Sequence, residues 1–251
     1  MKTLEGKVAI VTGGGRGVGQ GISLALAAEG ASVVLCGRSV EPLEATRQEI
    51  ESRGGSALSH ACDVGDAAEL ARLVETAVAT FGTVDILVNN AMQIPHGTLL
   101  EISEETIDAA WRSGPMAALR LMRLCHPYLR DGGAIVNVSS GASLNPDRTL
   151  RGVYAATKGA LNSFSRAAAT EWGPDGIRVN VIMPLASSES VARFIENEPE
   201  DANAMIAAVP LRRVGDPEAD IGRAVVFLCG PDAGYVTGVT LPVDGGTSYL
   251  R

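Results

Sequence analysis

Val8-Ala9-Ile10-Val11-Thr12-Gly13-Gly14-Gly15-Arg16-Gly17-Val18-Gly19 is the stretch on which the reading of the fold turns. A short β-branched run passes directly into a glycine cluster, and an Ala/Leu-rich helical pattern follows to about residue 29. Glycines permit backbone conformations that a Cβ would block, and they let a pyrophosphate approach closely. The helix that opens behind them offers free N–H groups and the positive end of its dipole to that anion. A glycine cluster alone also fits a plain structural turn; its place between a strand and an amphipathic helix is what points to a ligand. No Gly-Lys-Ser/Thr follows, so the turn is not a Walker loop. Three residues separate Gly13 from Gly17, so the spacing also differs from GxGxxG.

Working outward, apolar runs alternate with helical patterns along the whole chain. Ser32-Val33-Val34-Leu35-Cys36 precedes a helix carrying Leu43 and Ile50, and Ala57-Leu58-Ser59-His60-Ala61 precedes a helix over 67–81. Val84-Asp85-Ile86-Leu87-Val88 precedes a long helical stretch over 104–129, and Ala134-Ile135-Val136-Asn137-Val138 precedes a helix over 154–172. Ile177-Arg178-Val179-Asn180-Val181-Ile182 and Val239-Thr240-Leu241-Pro242-Val243 supply two last strands. The early strands are continuous apolar runs, as a sheet covered on both faces requires. Strand-helix alternation predicts right-handed crossovers and an α/β, doubly wound parallel sheet. No linker interrupts the pattern, so one domain over 1–251 is expected, with residues 185–210, rich in Ser, Glu, Asn and Asp, as an irregular, mobile insertion.

The 251 residues are 46% hydrophobic, 4% aromatic and 20% charged, and 29 acidic against 21 basic residues leave a net charge of -8. That balance disfavours nucleic acid, which needs a concentrated positive face. No apolar run approaches the roughly 20 residues of a membrane span, and the first residues carry charges where a signal peptide would be apolar. Cys36, Cys62, Cys125 and Cys229 are scattered, and His60, His96 and His126 have no metal-ligand spacing, so neither a disulfide framework nor a metal site is indicated. The expectation is a cytoplasmic protein with a small-molecule ligand. Asn137-Val138-Ser139 is a formal glycosylation sequon inside an apolar strand and is read as plain strand.

Tyr154 and Lys158, four residues apart on a predicted helix, share one face. A tyrosine hydroxyl normally keeps its proton at neutral pH, and a nearby ammonium moves it toward acid/base use. Ser140, at the end of the fifth strand, is suited to donate a hydrogen bond to a substrate oxygen. Each of these also has a bland account: packing plus a solvated charge for the pair, a turn for Ser139-Ser140.

Taken in order, Thr12-Gly13 to Gly19, Asp63-Val64, Asn89-Asn90-Ala91, Ser139-Ser140, Tyr154-Ala155-Ala156-Thr157-Lys158, Thr237-Gly238 and Val243-Asp244-Gly245-Gly246 resemble the short-chain dehydrogenase/reductase family, in its branch of about 250 residues. The resemblance runs end to end. It implies a Rossmann-like sheet of seven strands in the order 3-2-1-4-5-6-7 and a nicotinamide cofactor at the carboxyl ends of the strands. It implies hydride transfer between that cofactor and a ketone or secondary alcohol. Tyr154 would be the general acid in reduction and base in oxidation. Lys158 would lower its pKa and hold the nicotinamide ribose, and Ser140 would polarise the carbonyl. The cofactor set carried over is Gly13, Gly15, Arg16, Gly17, Val18 and Gly19 in the turn, Asp63 and Val64 at the adenine, Asn90 and Ala91 at the ribose, Tyr154 and Lys158, and Pro184 after the sixth strand. A homotetramer is also implied.

In such folds an acid after strand two bonds the adenosine 2′-hydroxyl. That position is Gly37 here, followed by Arg38. An arginine suits a 2′-phosphate, so Arg38 and Arg16 favour NADP(H) over NAD(H); a solvated Arg38 and an Arg16 that merely begins a helix are the plain alternatives. Three departures from the family surround the reaction centre. Met92 stands where a glycine is usual, Gly114 where a helix asparagine is usual, and Pro184-Leu185 with Glu189 replaces Pro-Gly and a threonine. Pro115 is expected to kink its helix and free a carbonyl near Gly114 for a relay water. Ser187, Ser188 or Ser190 are candidates to replace the threonine. The pocket is expected from Gln93, Pro95 and His96, from Leu144, Asn145, Arg148 and Arg151, and from a lid over 185–210 bearing Met205. The departures also keep open a non-catalytic, dinucleotide-binding sensor or scaffold.

Overall fold

The structure, a computed structural model, describes residues 2–144, 151–187 and 189–248. Seven strands form one parallel sheet: β1 (Val8–Thr12), β2 (Ser32–Gly37), β3 (Ser56–Ala61), β4 (Ile86–Asn89), β5 (Ala134–Val138), β6 (Arg178–Pro184) and β7 (Thr240–Val243). Their order is β3-β2-β1-β4-β5-β6-β7, as the resemblance implied. The chain winds outward from β1 in one direction and from β4 in the other, which opens a crevice at the carboxyl ends of these two neighbours.

The continuous apolar strands serve two layers at once. Side chains alternate across a strand, so Ala9 and Val11 pack toward α1 (Gly17–Ala28), α2 (Val40–Ser52) and α9 (Arg223–Cys229). Ile10 packs to the opposite face, toward α3 (Ala67–Phe81), α5 (Pro115–Leu129) and α6 (Gly152–Trp172). β4 repeats the division, with Ile86 and Val88 on the first face and Leu87 on the second. Helix ends follow local chemistry. Asp66 caps α3 by accepting from the Ala68 and Glu69 N–H groups, and Gly82, at φ +87°, ends it.

The stretch 104–129 differs from its expectation. It is two helices, α4 (Glu104–Ser113) and α5, meeting at Gly114, which has φ -95° and ψ -109°. Pro115 takes the first position of α5, where a missing N–H costs nothing. Gly114 therefore acts as the N-cap, and its carbonyl receives the Ala118 N–H at 3.1 Å. Gly114's own carbonyl is therefore committed to α5, and the chain restarts a helix there rather than bending one.

Residues 185–210 also depart from the irregular insertion expected. They hold α7 (Glu189–Asn197) and α8 (Pro199–Ala208). Pro199 opens α8, with Glu200 and Asp201 in its first turn, a favourable arrangement at the positive end of the dipole. The polar residues that suggested irregularity lie mostly on exposed surface, with Ala202 buried beneath. No described helix is long and apolar enough to cross a membrane.

Candidate active site

A groove of about 660 Å³ lies over the carboxyl ends of β1, β2 and β4. Gly13, Gly15, Arg16, Gly17, Val18 and Gly19 form one wall. Gly13 (φ +69°) and Gly17 (φ +50°) occupy the left-handed region that an L side chain resists. A Cβ at Gly13 would lie 2.6 Å from Asn90 Nδ2, and one at Gly19 would lie 2.1 Å from the Gly13 carbonyl oxygen. Gly15 has a different cause: a Cβ there would meet the Leu43 backbone nitrogen at 2.9 Å, so it serves the packing of α2. No side chain caps the start of α1, which leaves its first-turn N–H groups facing the groove, as an anion site needs. The cradle therefore fits a pyrophosphate.

Thr12 clasps the floor of the groove, a role that the sequence reading missed although the motif contains it. Its hydroxyl accepts the Asn90 N–H at 2.9 Å and the Ala91 N–H at 3.0 Å. Asn90 Nδ2 in turn donates to the Thr12 carbonyl at 2.9 Å. Asn90 and Ala91 line the groove, as do Asp63 and Val64. One Asp63 oxygen is held by the Gly65 N–H at 2.9 Å. Arg38 and Ser39 also line it, and Ser39 begins α2 without its side chain capping the helix. At Gly37 a Cβ would find only ordinary contact, with Leu43 Cδ2 at 3.5 Å, so nothing steric excludes an acid at that position.

Ser140, Tyr154 and Lys158 converge at the ends of β5 and α6. The Ser140 hydroxyl neighbours that of Tyr154 and accepts the Ala142 N–H at 3.2 Å. Ser139, by contrast, is buried, and its Oγ has no hydrogen-bond partner among the described residues. Lys158 is buried, donates to the Val138 carbonyl at 2.6 Å, and has its Nζ 5.7 Å from the Tyr154 ring centre. Burial lowers its pKa to about 8. Burial raises that of Tyr154, opposed by the neighbouring Ser140 hydroxyl and by the positive charge of Arg151. Arg151 and Lys158 are thus both cations near the phenol, Lys158 with its amine also held by a carbonyl of β5.

Other expected residues are scattered. Pro184 sits at the end of β6, paired with Val243, away from the groove lining. The Ser187 N–H bonds the Gly215 carbonyl at 2.9 Å while its side chain is exposed. Ser188, Asn145 and Arg148 lie outside the described residues. Ile94 is an exposed apolar group lining the groove, Leu144 is exposed just after the turn that follows Ser140, and the exposed Leu99 packs over Gly152 at the start of α6.

A family model described as Enoyl-(Acyl carrier protein) reductase matches residues 13–248. The 12alpha-hydroxysteroid dehydrogenase of Clostridium sp. (strain ATCC 29733 / VPI C48-50) is 40% identical, over 98% of this chain and 98% of its own. A 7 alpha-hydroxysteroid dehydrogenase solved with NADH and 7-oxo glycochenodeoxycholic acid superposes with a TM-score of 0.91 at 34% identity, covering 98% of this chain and 96% of that one. A short chain dehydrogenase from Burkholderia cenocepacia J2315, solved with NADP, gives 0.90 at 31% identity, covering 98% and 99%.

Proposed function

The chain belongs to the short-chain dehydrogenase/reductase family of NAD(P)-dependent oxidoreductases, and from that premise we propose that it transfers a hydride between NADP(H) and a ketone or secondary alcohol. The observation that carries this reading is that the Tyr154 hydroxyl neighbours Ser140 while the buried Lys158 has its Nζ 5.7 Å from the Tyr154 ring centre. Two adjacent hydroxyls offer one substrate oxygen two donors at once. Tyr154 gives its proton to that oxygen in reduction and takes one back in oxidation, while Ser140 holds the oxygen in place. A bound nicotinamide supplies or accepts the hydride. Lys158 holds the nicotinamide ribose and, with the chain's other charges, offsets negative charge that develops on the phenol.

Arg38 and Arg16 on the groove wall, with no acid at Gly37, support NADP(H). The uncommitted Ser39 hydroxyl adds a donor for a 2′-phosphate. Pro184 and the residues after it are assigned to the nicotinamide end, and residues 185–210 to a lid over the substrate. The exposed apolar Ile94, Leu99 and Leu144, and the hydroxysteroid relatives, favour a bulky alicyclic substrate. Four free, buried cysteines fit a reducing cytoplasm. Exposed Phe227, Tyr235 and Val239 fit an assembly of four chains.

The test is a panel of alicyclic ketones and alcohols, hydroxysteroids included, with NADPH and with NADH. Turnover is expected with NADPH, and Tyr154→Phe is expected to lower kcat by about a thousandfold or more while leaving NADPH binding within about twofold. The altered residues Met92 and Gly114 favour a second reading, a dinucleotide-binding sensor. Tight NADPH binding with no turnover across the panel, in both wild type and Tyr154→Phe, would select it.

A further inference from the structure

Met92 stands on the boundary between two spaces. It lines the cofactor groove, and it also lines a small cavity of about 10 Å³ beneath Lys158. Its backbone is held on both sides. The Ala91 N–H donates to Thr12 Oγ1 at 3.0 Å, and the Gln93 N–H donates to Ser113 Oγ at 3.1 Å. Ser113 Oγ in turn donates to the Ala109 carbonyl at 2.7 Å, which ties this loop to the last turn of α4. The side chain is thereby laid across the junction of α4 and α5. A Cβ at Gly114 would lie 2.8 Å from the Ala110 carbonyl oxygen and 3.3 Å from both Sδ and Cε of Met92; the first contact is common to any Met92 variant, the second is not. Thr157 Oγ1 approaches the same sulfur at 3.9 Å. The thioether therefore occupies the space that a side chain at residue 114 would enter.

The cavity below is the size of one water. Its lining includes Thr12, Asn89, Gly114, Thr157 and Lys158. Two of these groups have hydrogen-bonding capacity left over. Asn89 is buried, its Nδ2 donates to Asn137 Oδ1 at 2.8 Å, and its Oδ1 has no partner among the described residues. An ammonium has three donors, and among the described residues Lys158 gives one to the Val138 carbonyl. An unmet buried acceptor and spare ammonium donors around a one-water space are what a single bound water resolves.

We propose that Met92 is a positioning residue for Lys158: its thioether takes the place of the missing side chain at Gly114 and seals, from the cofactor groove, one water held between the Lys158 ammonium and Asn89 Oδ1. The proposal rests on the functional reading in which Lys158 supports Tyr154. The groups that face Lys158 are the Val138 carbonyl on β5, Asn89 and Met92 at the end of β4, Gly114 and Pro115 at the helix junction, and Tyr154 and Thr157 on α6. Of these only Tyr154 titrates, and burial holds it above its ordinary range. The first loss of activity on the alkaline side therefore belongs to Lys158, whose desolvation keeps it near 8. Opening the seal lets bulk water reach the ammonium and raises its pKa, so that limb moves to higher pH.

The test uses Met92→Gly, Met92→Leu and Gly114→Ala in the full chain, with kcat and KM for ketone reduction measured against pH. Met92→Gly is expected to move the alkaline limb of kcat upward by about half a unit or more, with KM for NADPH changed less than about twofold. Met92→Leu, which refills the space without sulfur, should return the limb to the wild-type position. A Met92→Gly profile that overlays the wild type, or a Met92→Leu profile displaced as far as Met92→Gly, overturns the proposal. Thermal melts of Gly114→Ala in both backgrounds provide a readout independent of turnover. The loss of Tm should be smaller when Met92 is already glycine; equal losses in the two backgrounds also overturn it. Absence of turnover in the wild type would instead fail the functional reading, and the melts would still decide whether Met92 fills the space over Gly114.

Discussion

Lys158 shows how one residue sets stability against function. Its amine is buried and titrates near 8 rather than at the ordinary 10.5 because burial penalises the ammonium. A lysine whose folded pKa lies below its unfolded value binds its proton less tightly in the fold. It therefore costs stability in full below about pH 8, and the cost disappears as pH rises toward 10.5. Lys158→Met should accordingly stabilise the cofactor-free protein at pH 7 by about 1–3 kcal/mol while abolishing turnover. Melting curves from pH 7 to 10.5 should show the two proteins converging; a difference independent of pH would refute this account. Gly37 offers a second prediction at the same scale. Because a side chain fits there, Gly37→Asp should fold normally, raise KM for NADPH about tenfold or more, and lower KM for NADH. An unchanged ratio of the two would remove the groove's acid position from cofactor choice.

At the scale of elements, α1 packs backbone to backbone against the π-helical turn Pro217–Gly222 that leads into α9. A Cβ at Gly21 would come within 2.2 Å of the Pro217 carbonyl carbon, and one at Gly222 within 2.5 Å of Ala25 Cβ. Small residues on both sides let the two backbones touch. Gly21→Ala should therefore destabilise by about 2 kcal/mol or more through overpacking, although alanine is the better helix former. Urea unfolding would measure it, and a neutral or stabilising result would show that the turn shifts freely. The junction of α4 and α5 is the complementary case. Ser113-Gly114-Pro115 announced an interruption in the sequence, yet whether it bent one helix or divided two depended on Gly114 turning the chain and capping α5.

Across the whole molecule, the sheet edge at β7 is only partly buried in the single chain. Near it Tyr235, fully exposed, and Val239 and Phe227, partly so, form apolar surface that water disfavours. On α5, Leu124 and Tyr128 are exposed as well. An assembly of four chains of 26.0 kDa each is the proposed state. Light scattering on a sizing column should report that mass, and Tyr235→Asp should shift it downward. A wild-type particle of 26.0 kDa would end the proposal.

The parallel sheet was legible in the chain itself, while its strand order came with the resemblance to a family. Apolar runs buried on both faces and a glycine turn between strand and helix constrain local geometry, and local geometry repeated along a chain dictates a doubly wound topology. The glycine turn was legible for the same reason, while Asp63, Val64, Asn90 and Ala91 came from the resemblance and line the same groove. Three matters were decided only in three dimensions. Thr12 became the clasp of the groove because β4 lies beside β1, 78 residues away from Asn90 in the chain. Arg151 joined Lys158 as a cation near Tyr154 because the start of α6 folds back beside the end of β5. Met92 and Gly114 became one packing unit because a loop and a helix junction meet above Lys158. Sequence spacing determines what a residue does to its own backbone; charge and packing energies fall off with distance in space, and that distance exists only once the chain has folded.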